Sequence, residues 1–326
     1  LHLLSRRQRQ MCIRDSYDMA IMKKWQDLTD VTTAILTGMR EILRKEKPDM
    51  VLVHGDTSTA FAASLAAFYQ QIPVGHVEAG LRTYNMKSPY PEEFNRQAIG
   101  LTASLHFAPT QKAADALLKE GKDPAQIFVT GNTGIDALHY TVRNDFYHPE
   151  IEWAKDSRLI AVTAHRRENL GEPMRDMFRA IRRIVEEFTD VKVIYPVHLN
   201  PLVRKIADEE FGGCKRIHLI EPLDVVEFHN LMKASYLIMT DSGGIQEEAP
   251  ALGKPVLVMR DTTERPEGVE AGTLKLAGTK MDDIYRECRQ LLTEPEIYRK
   301  MSKARNPYGD GTASIKIRKI LEDINA

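Results

Sequence analysis

Hydrophobic positions along the chain fall into two alternating rhythms. Leu28, Val31, Ile35, Leu36, Met39, Ile42 and Leu43 recur at three- and four-residue spacing, which predicts one amphipathic helix. Arg44, Lys45 and Lys47 sit at its basic end, and Pro48 stops it. A short apolar run follows at Met50–His54, and others at Pro73–Val77, Leu105–Ala108 and Ile127–Thr130. Between them the pattern predicts helices over Ser58–Gln70, from Pro91-Glu92-Glu93 onward, and over Lys112–Glu120 up to Gly121. A polar, proline-marked stretch covers Asn144–Asp156. The alternation then resumes, with strands predicted at Leu159–Thr163, Lys192–Pro196, Ile217–Ile220, Tyr236–Thr240, Val256–Met259 and Leu274–Leu276. Short, apolar, β-branched runs separated by helices are as buried parallel strands should be. Two such stretches imply two doubly wound α/β domains.

Composition narrows the function. A chain of 326 residues suits two domains. With 45 Lys and Arg against 46 Asp and Glu, the net charge of −1 argues against nucleic acid or a polybasic membrane contact. The longest apolar stretch, Ala60–Phe68, is far below the roughly 18 residues that span a bilayer, and no basic-then-apolar signal peptide is visible. Cys12, Cys214 and Cys288 are too few and too scattered for a disulfide framework or zinc site, so a reducing, cytoplasmic setting is expected. Leu1–Ser16, with Arg6, Arg7, Arg9 and Arg14 and no apolar period, does not belong to the pattern that follows. It is read as a non-native segment and left out of the fold.

Polar residues gather where strands end. Asp56 follows the first strand, His76 and Glu78 bracket the end of the second, and His165, His198 and Asp241-Ser242 close strands of the second half. Ligands of open parallel sheets bind beyond the carboxyl ends of strands, and two such edges facing each other would make one cleft. Asp241-Ser242-Gly243-Gly244 joins a strand to a helix and suits a phosphate. It reads equally as a turn that needs glycine and a Ser or Asp cap. Asp56, Glu78 and Glu92 could share acid and base work, although each taken singly is better explained as cap chemistry. His54 and His76 read as satisfied histidines. His165-Arg166-Arg167-Glu168-Asn169 places a histidine and two cations at a strand end, where arginines suit phosphate or carboxylate. Gly-x-Gly-x-x-Gly, Gly-x-x-x-x-Gly-Lys, Gly-x-Ser-x-Gly and metal motifs are absent from the sequence.

Taken together, several segments resemble the non-hydrolysing UDP-N-acetylglucosamine 2-epimerases. They are Val51–Thr57, Gly75–Arg82, Pro91–Arg96, His165–Asn169, Tyr195–Pro201, Asp241–Glu248, Arg260–Glu267 and Asn306–Gly311. The resemblance implies a GT-B-like α/β fold: two doubly wound Rossmann-like domains facing a central cleft, with a C-terminal helix crossing back to the first domain. The expected division is 17–150, 151–305 and 306–326. The implied reaction is reversible inversion at C2 between UDP-GlcNAc and UDP-ManNAc through 2-acetamidoglucal. It uses neither cofactor nor metal and supplies precursors for surface polysaccharide. The resemblance makes Asp56, Glu78, Glu92 and His165 the catalytic set. It places Ser242, Gly243 and Gly244 on phosphate, Glu248 on ribose and Phe228 near the nucleotide. Arg166 and His198 are similar to residues of a second UDP-GlcNAc site that activates some bacterial members. A homodimer is the family expectation.

One departure stands out. Family members open on a strand ending in a Gly-Thr-Arg-Pro-Glu-like loop, and nothing in Leu1–Trp25 matches it. The expectation is a chain without its first strand, and so a poor enzyme. Hydrolysing relatives, another UDP-HexNAc epimerase, a retaining glycosyltransferase and an inactive UDP-sugar binder are the alternatives.

Overall fold

The computed structural model describes residues 16–324, apart from Lys24, Ser88 and Glu264. The expectations placed on Leu1–Ser16 therefore lie outside the described residues, Ser16 excepted. Among the described residues, no helix is long and apolar enough to cross a membrane.

The chain folds as two compact units. The first ends at Thr133 and takes up again from Thr312, and the second is Gly134–Gly311. The divisions fall at 133/134 and 311/312, where the sequence pattern placed them at 150/151 and 305/306. The polar stretch before the second run of strands is not a bare linker. It holds a short helix, Pro149–Ala154, whose Ile151, Trp153 and Ala154 pack into the second unit's core. Trp153 stacks on His218, with ring centroids 3.5 Å apart.

In the first unit, α1 (Leu28–Glu46) starts on a reciprocal cap between Asp27 and Asp30. It stops where Lys47 turns left-handed before Pro48. Then come β1 (Val51–His54), α2 (Ser58–Tyr69), β2 (Val74–Val77), α3 (Glu92–Thr102), β3 (Leu105–Ala108), α4 (Gln111–Lys119) and β4 (Ile127–Val129). The four strands are parallel and lie in chain order, β1-β2-β3-β4. Helices α1 and α2 pack with Val53, Val74 and Ile99. The last helix, α14 (Ala313–Ile324), belongs to this unit: Ile317, Ile320 and Leu321 pack on Val77, Leu105, Phe107 and Phe128.

The second unit opens with α5 (Thr133–Thr141), whose first residue stands at the division, and α6 (Pro149–Ala154). It continues through β5 (Arg158–Thr163), α7 (Glu172–Glu187), β6 (Val191–Pro196), α8 (Pro201–Phe211), β7 (Ile217–Ile220) and α9 (Val225–Ala234). It closes with β8 (Leu237–Thr240), α10 (Ile245–Ala251), β9 (Val256–Val258), α11 (Pro266–Glu270), β10 (Leu274–Leu276), α12 (Met281–Thr293) and α13 (Pro295–Ser302). The six strands form one parallel sheet in the order β10-β9-β8-β5-β6-β7. Successive side chains of a strand point to opposite faces, so Ile160 and Val162 enter one core with α7, α8 and α12. Leu159 and Ala161 enter the other, with α6, α9 and α10. The sheet is doubly wound, and its order reverses between β5 and β8. A crevice beyond those two carboxyl ends is where such sheets bind ligands.

Candidate active site

Two acids of the first unit meet around Gly55. His54 pairs with Val77, so the residues after β1 and β2 leave the sheet side by side. Gly55 is pinned by its N–H to Val77 O, 2.9 Å, and by His76 Nε2 against its carbonyl, 2.8 Å. Its φ of +72° puts it in the left-handed region, and a Cβ there would stand 3.0 Å from Glu78 Oε2. Glycine is thus needed twice, for the turn and for the close approach of the Glu78 carboxylate. Glu78 itself is left-handed, φ +66°, a conformation that costs a non-glycine residue energy and turns its side chain back over Gly55. Asn132, beyond β4, donates to Glu78 Oε1 at 3.4 Å.

Asp56 is not the cap that its place before Thr57-Ser58 suggests. Thr57 is the cap of α2, accepting from the Ala60 N–H. The Asp56 carboxylate pairs with the buried Arg96 guanidinium of α3, and Asn95 Nδ2 donates to the Asp56 carbonyl at 2.8 Å. Glu92 is the first residue of α3 and half-buried, and Pro91 stands one position before the helix. Next to it, Glu93 is fully buried. Burial alone would raise its carboxyl, but hydrogen bonds from the Thr83 N–H, the Gln97 amide and the Tyr84 N–H prevail and hold it below the usual range. Arg96, Asn95 and Glu93 went unassigned in the sequence. The available signal was their spacing: Arg96 stands one helical turn after Glu92, on an element that begins with acids.

Beneath the acids lie two neutral histidines. His76 and His106 pair in register on β2 and β3. Burial lowers His76 to about 3, against the help of the Gly55 carbonyl, and lowers His106 to about 4.

In the second unit the ends of β5 and β8 are joined by one carboxylate. Asp241 is fully buried, and its Oδ2 accepts from the N–H groups of His165 and Arg166, both 2.9 Å, and from Asn169 Nδ2, 3.3 Å. Its other oxygen faces His165 Nδ1 at 3.5 Å. Asp241 therefore shapes the His165 turn and does not cap the helix that follows. His198, beyond β6, lies parallel to His165 with ring centroids 5.3 Å apart. Burial, and then His165, lowers its pKa. The structure thus brings together His165, Arg166 and His198, which the resemblance divided between a catalytic and an effector site.

Gly244 is the cap of α10, with ordinary helical angles and no side-chain partner for the free N–H groups. A Cβ there would meet nothing closer than Glu248 Oε1 at 3.8 Å, so the fold does not require glycine at this exposed position. Ser242 donates its N–H to Thr240 Oγ1, 2.9 Å. Glu248 lies one turn along the helix, and Phe228 of α9 packs on the adjoining core. Glu247 is buried with Arg265, and Asn306 donates to the Glu247 carbonyl at 2.9 Å. The Asn306–Gly311 segment is therefore a brace for α10 in this structure.

Two parallel sheets flanked by helices, together with the structural neighbours, place the chain in the GT-B class of α/β proteins. More narrowly, it belongs to the UDP-N-acetylglucosamine 2-epimerase family, whose model matches residues 3–322. A Bacillus subtilis UDP-N-acetylglucosamine 2-epimerase is 62% identical over 312 residues, covering 96% of this chain and 81% of that one. The Neisseria meningitidis UDP-GlcNAc 2-epimerase bound to UDP-GlcNAc superposes with a TM-score of 0.93 at 46% identity, covering 99% of this chain and 89% of that one. The S. aureus MnaA–UDP co-structure gives 0.91 at 52%, over 95% and 83%.

Proposed function

We propose that the protein interconverts UDP-GlcNAc and UDP-ManNAc by eliminating and re-adding UDP through 2-acetamidoglucal. The observation that carries this is the approach of the Glu78 carboxylate to Gly55, the residue before Asp56, with Glu92 at the start of α3. Inversion at C2 needs a base on one face of the sugar, an acid on the other, and support for the departing diphosphate. Asp56, Glu78, Glu92 and His165 supply the proton transfers. The Arg96 guanidinium pairs with the Asp56 carboxylate and fixes its place after β1.

Ser242, Gly243 and Gly244 receive the diphosphate, Glu248 the ribose, and Phe228 lies near the nucleotide. Support comes from the room at Gly244, where among the described residues a Cβ would meet only Glu248 Oε1, at 3.8 Å. Arg166 and His198 serve a second, activating UDP-GlcNAc, and the working form is a cytoplasmic homodimer supplying surface polysaccharide. Incubation with UDP-GlcNAc in D2O tests the reaction: the expected product is UDP-ManNAc carrying deuterium at C2. Free ManNAc as the first product, transfer to an acceptor, or binding without turnover would each overturn the reading.

A further inference from the structure

Beneath Glu248 runs a line of polar groups that the proposed chemistry does not use. His229 of α9 is 3% exposed, and its Nδ1 lies 2.7 Å from the hydroxyl of Thr141, the last residue of α5 and equally buried. Its Nε2 lies 3.5 Å from Glu248 Oε2. The neighbouring Asn230 fixes the same helix end: its amide donates to Thr141 O, 2.8 Å, and accepts from the Arg143 N–H, 2.9 Å. The ring can therefore neither swing away nor turn over without breaking a buried set of bonds.

The Thr141 hydroxyl has one hydrogen and two neighbours, His229 Nδ1 and the Ala137 carbonyl at 2.9 Å. With that hydrogen turned to Nδ1, a neutral ring carries its own hydrogen on Nε2, on the side of Glu248. This is the arrangement the proposal uses.

The geometry points to His229, seated on the Thr141 hydroxyl, as a positioning residue that aims the Glu248 carboxylate at the vicinal hydroxyls of a nucleotide ribose. This rests on the reading of Glu248 as the ribose-holding group. His229 Nε2 stands 3.5 Å from one carboxylate oxygen, and the other is the atom nearest to a Cβ placed on Gly244, at 3.8 Å.

The test is calorimetric titration of the full chain with UDP and with 2′-deoxy-UDP. A hydrogen bond to a charged group is typically worth about 10-fold or more in affinity, so the parent should prefer UDP by about that factor. His229→Leu should bring the preference down to about 2-fold or less, and His229→Gln, which returns an N–H near the Nε2 position, should restore most of it. Thr141→Val, nearly isosteric, should lower the preference part of the way and serves if His229→Leu does not fold. A purely structural histidine would weaken both ligands equally and leave their ratio alone. An unchanged ratio in His229→Leu or Thr141→Val, with the ratio lost in Glu248→Gln, would overturn the proposal. An unchanged ratio in Glu248→Gln would instead remove the ribose reading on which it stands.

Discussion

The two units hold their candidate residues in opposite ways. In the second, Asp241 gathers the main-chain N–H groups of His165 and Arg166, so the site's shape is written into the backbone at the sheet's reversal. In the first, Asp56 is held by a side chain from another helix, and Glu78 by the amide of Asn132. The surroundings differ too. Every residue of β8 and β9 is buried, whereas among the described residues β1 pairs with β2 alone, and Leu52 is 48% exposed. The His165 and Arg166 N–H groups are spent on Asp241 and fix a turn, whereas Asp56 and Glu78 are placed by side chains. In the proposed function the first unit supplies three of the four proton-transfer groups, and the second supplies His165 and holds the nucleotide.

Substitutions should separate these two jobs. Asp56→Asn, Glu78→Gln and Glu92→Gln should each lower UDP-ManNAc formation about 10²-fold or more while UDP affinity by calorimetry stays within about 2-fold. Gly243→Val should do the reverse at the binding step, abolishing UDP affinity with the far-UV circular dichroism preserved. Equal loss of both properties in both sets would dissolve the distinction.

Asp241→Ala sharpens it on the stability side. It strands buried N–H groups and should cost the second unit about 2–4 kcal/mol in urea unfolding, while the first unit's transition stays in place. A loss below about 1 kcal/mol would mean that water replaces the carboxylate.

Acid should act on the first unit instead. His76 and His106 have folded pKa values below the unfolded value near 6.5. The unfolded chain thus binds more protons as pH falls. Their contribution is whole above about pH 6.5 and lost on the way down to about 4 and 3. The slope should approach about 1.4 kcal/mol per pH unit for each histidine. Replacing His106 by Leu should remove its share of that slope, read from urea midpoints between pH 6.5 and 4. The smallest effect is at Gly244→Ala: stability should stay within about 1 kcal/mol, because the backbone is already helical there, yet UDP should bind more weakly.

Much of this architecture was legible in the sequence because short, mostly apolar runs alternate with amphipathic helices. Leu105–Ala108, Ile217–Ile220 and Leu274–Leu276 form with the bounds the pattern predicts. That polar residues gather at strand ends was legible for the same reason, since Glu78 and His165 directly follow apolar runs and Asp56 stands two residues after His54. Which side chain each would meet was not. Arg96 reaches Asp56 across forty positions of sequence, and Asp241 turns from the expected helix cap to its neighbour strand. Both choices are made by tertiary proximity. The α6 helix was hidden because His148, Pro149 and Glu150, which cap and start it, read locally as a polar loop.

The return of α14 to the first unit has a consequence for synthesis. Its strands β1–β4 are complete by Val129, but the helix that covers Leu105, Phe107 and Phe128 is made about 180 residues later. At ribosomal speeds of about 5–20 residues per second, that is a wait of roughly 10–40 s with an apolar sheet face uncovered. The whole second unit emerges and can fold in that interval. A nascent chain therefore carries the face of Leu105, Phe107 and Phe128 uncovered while the whole second unit is made.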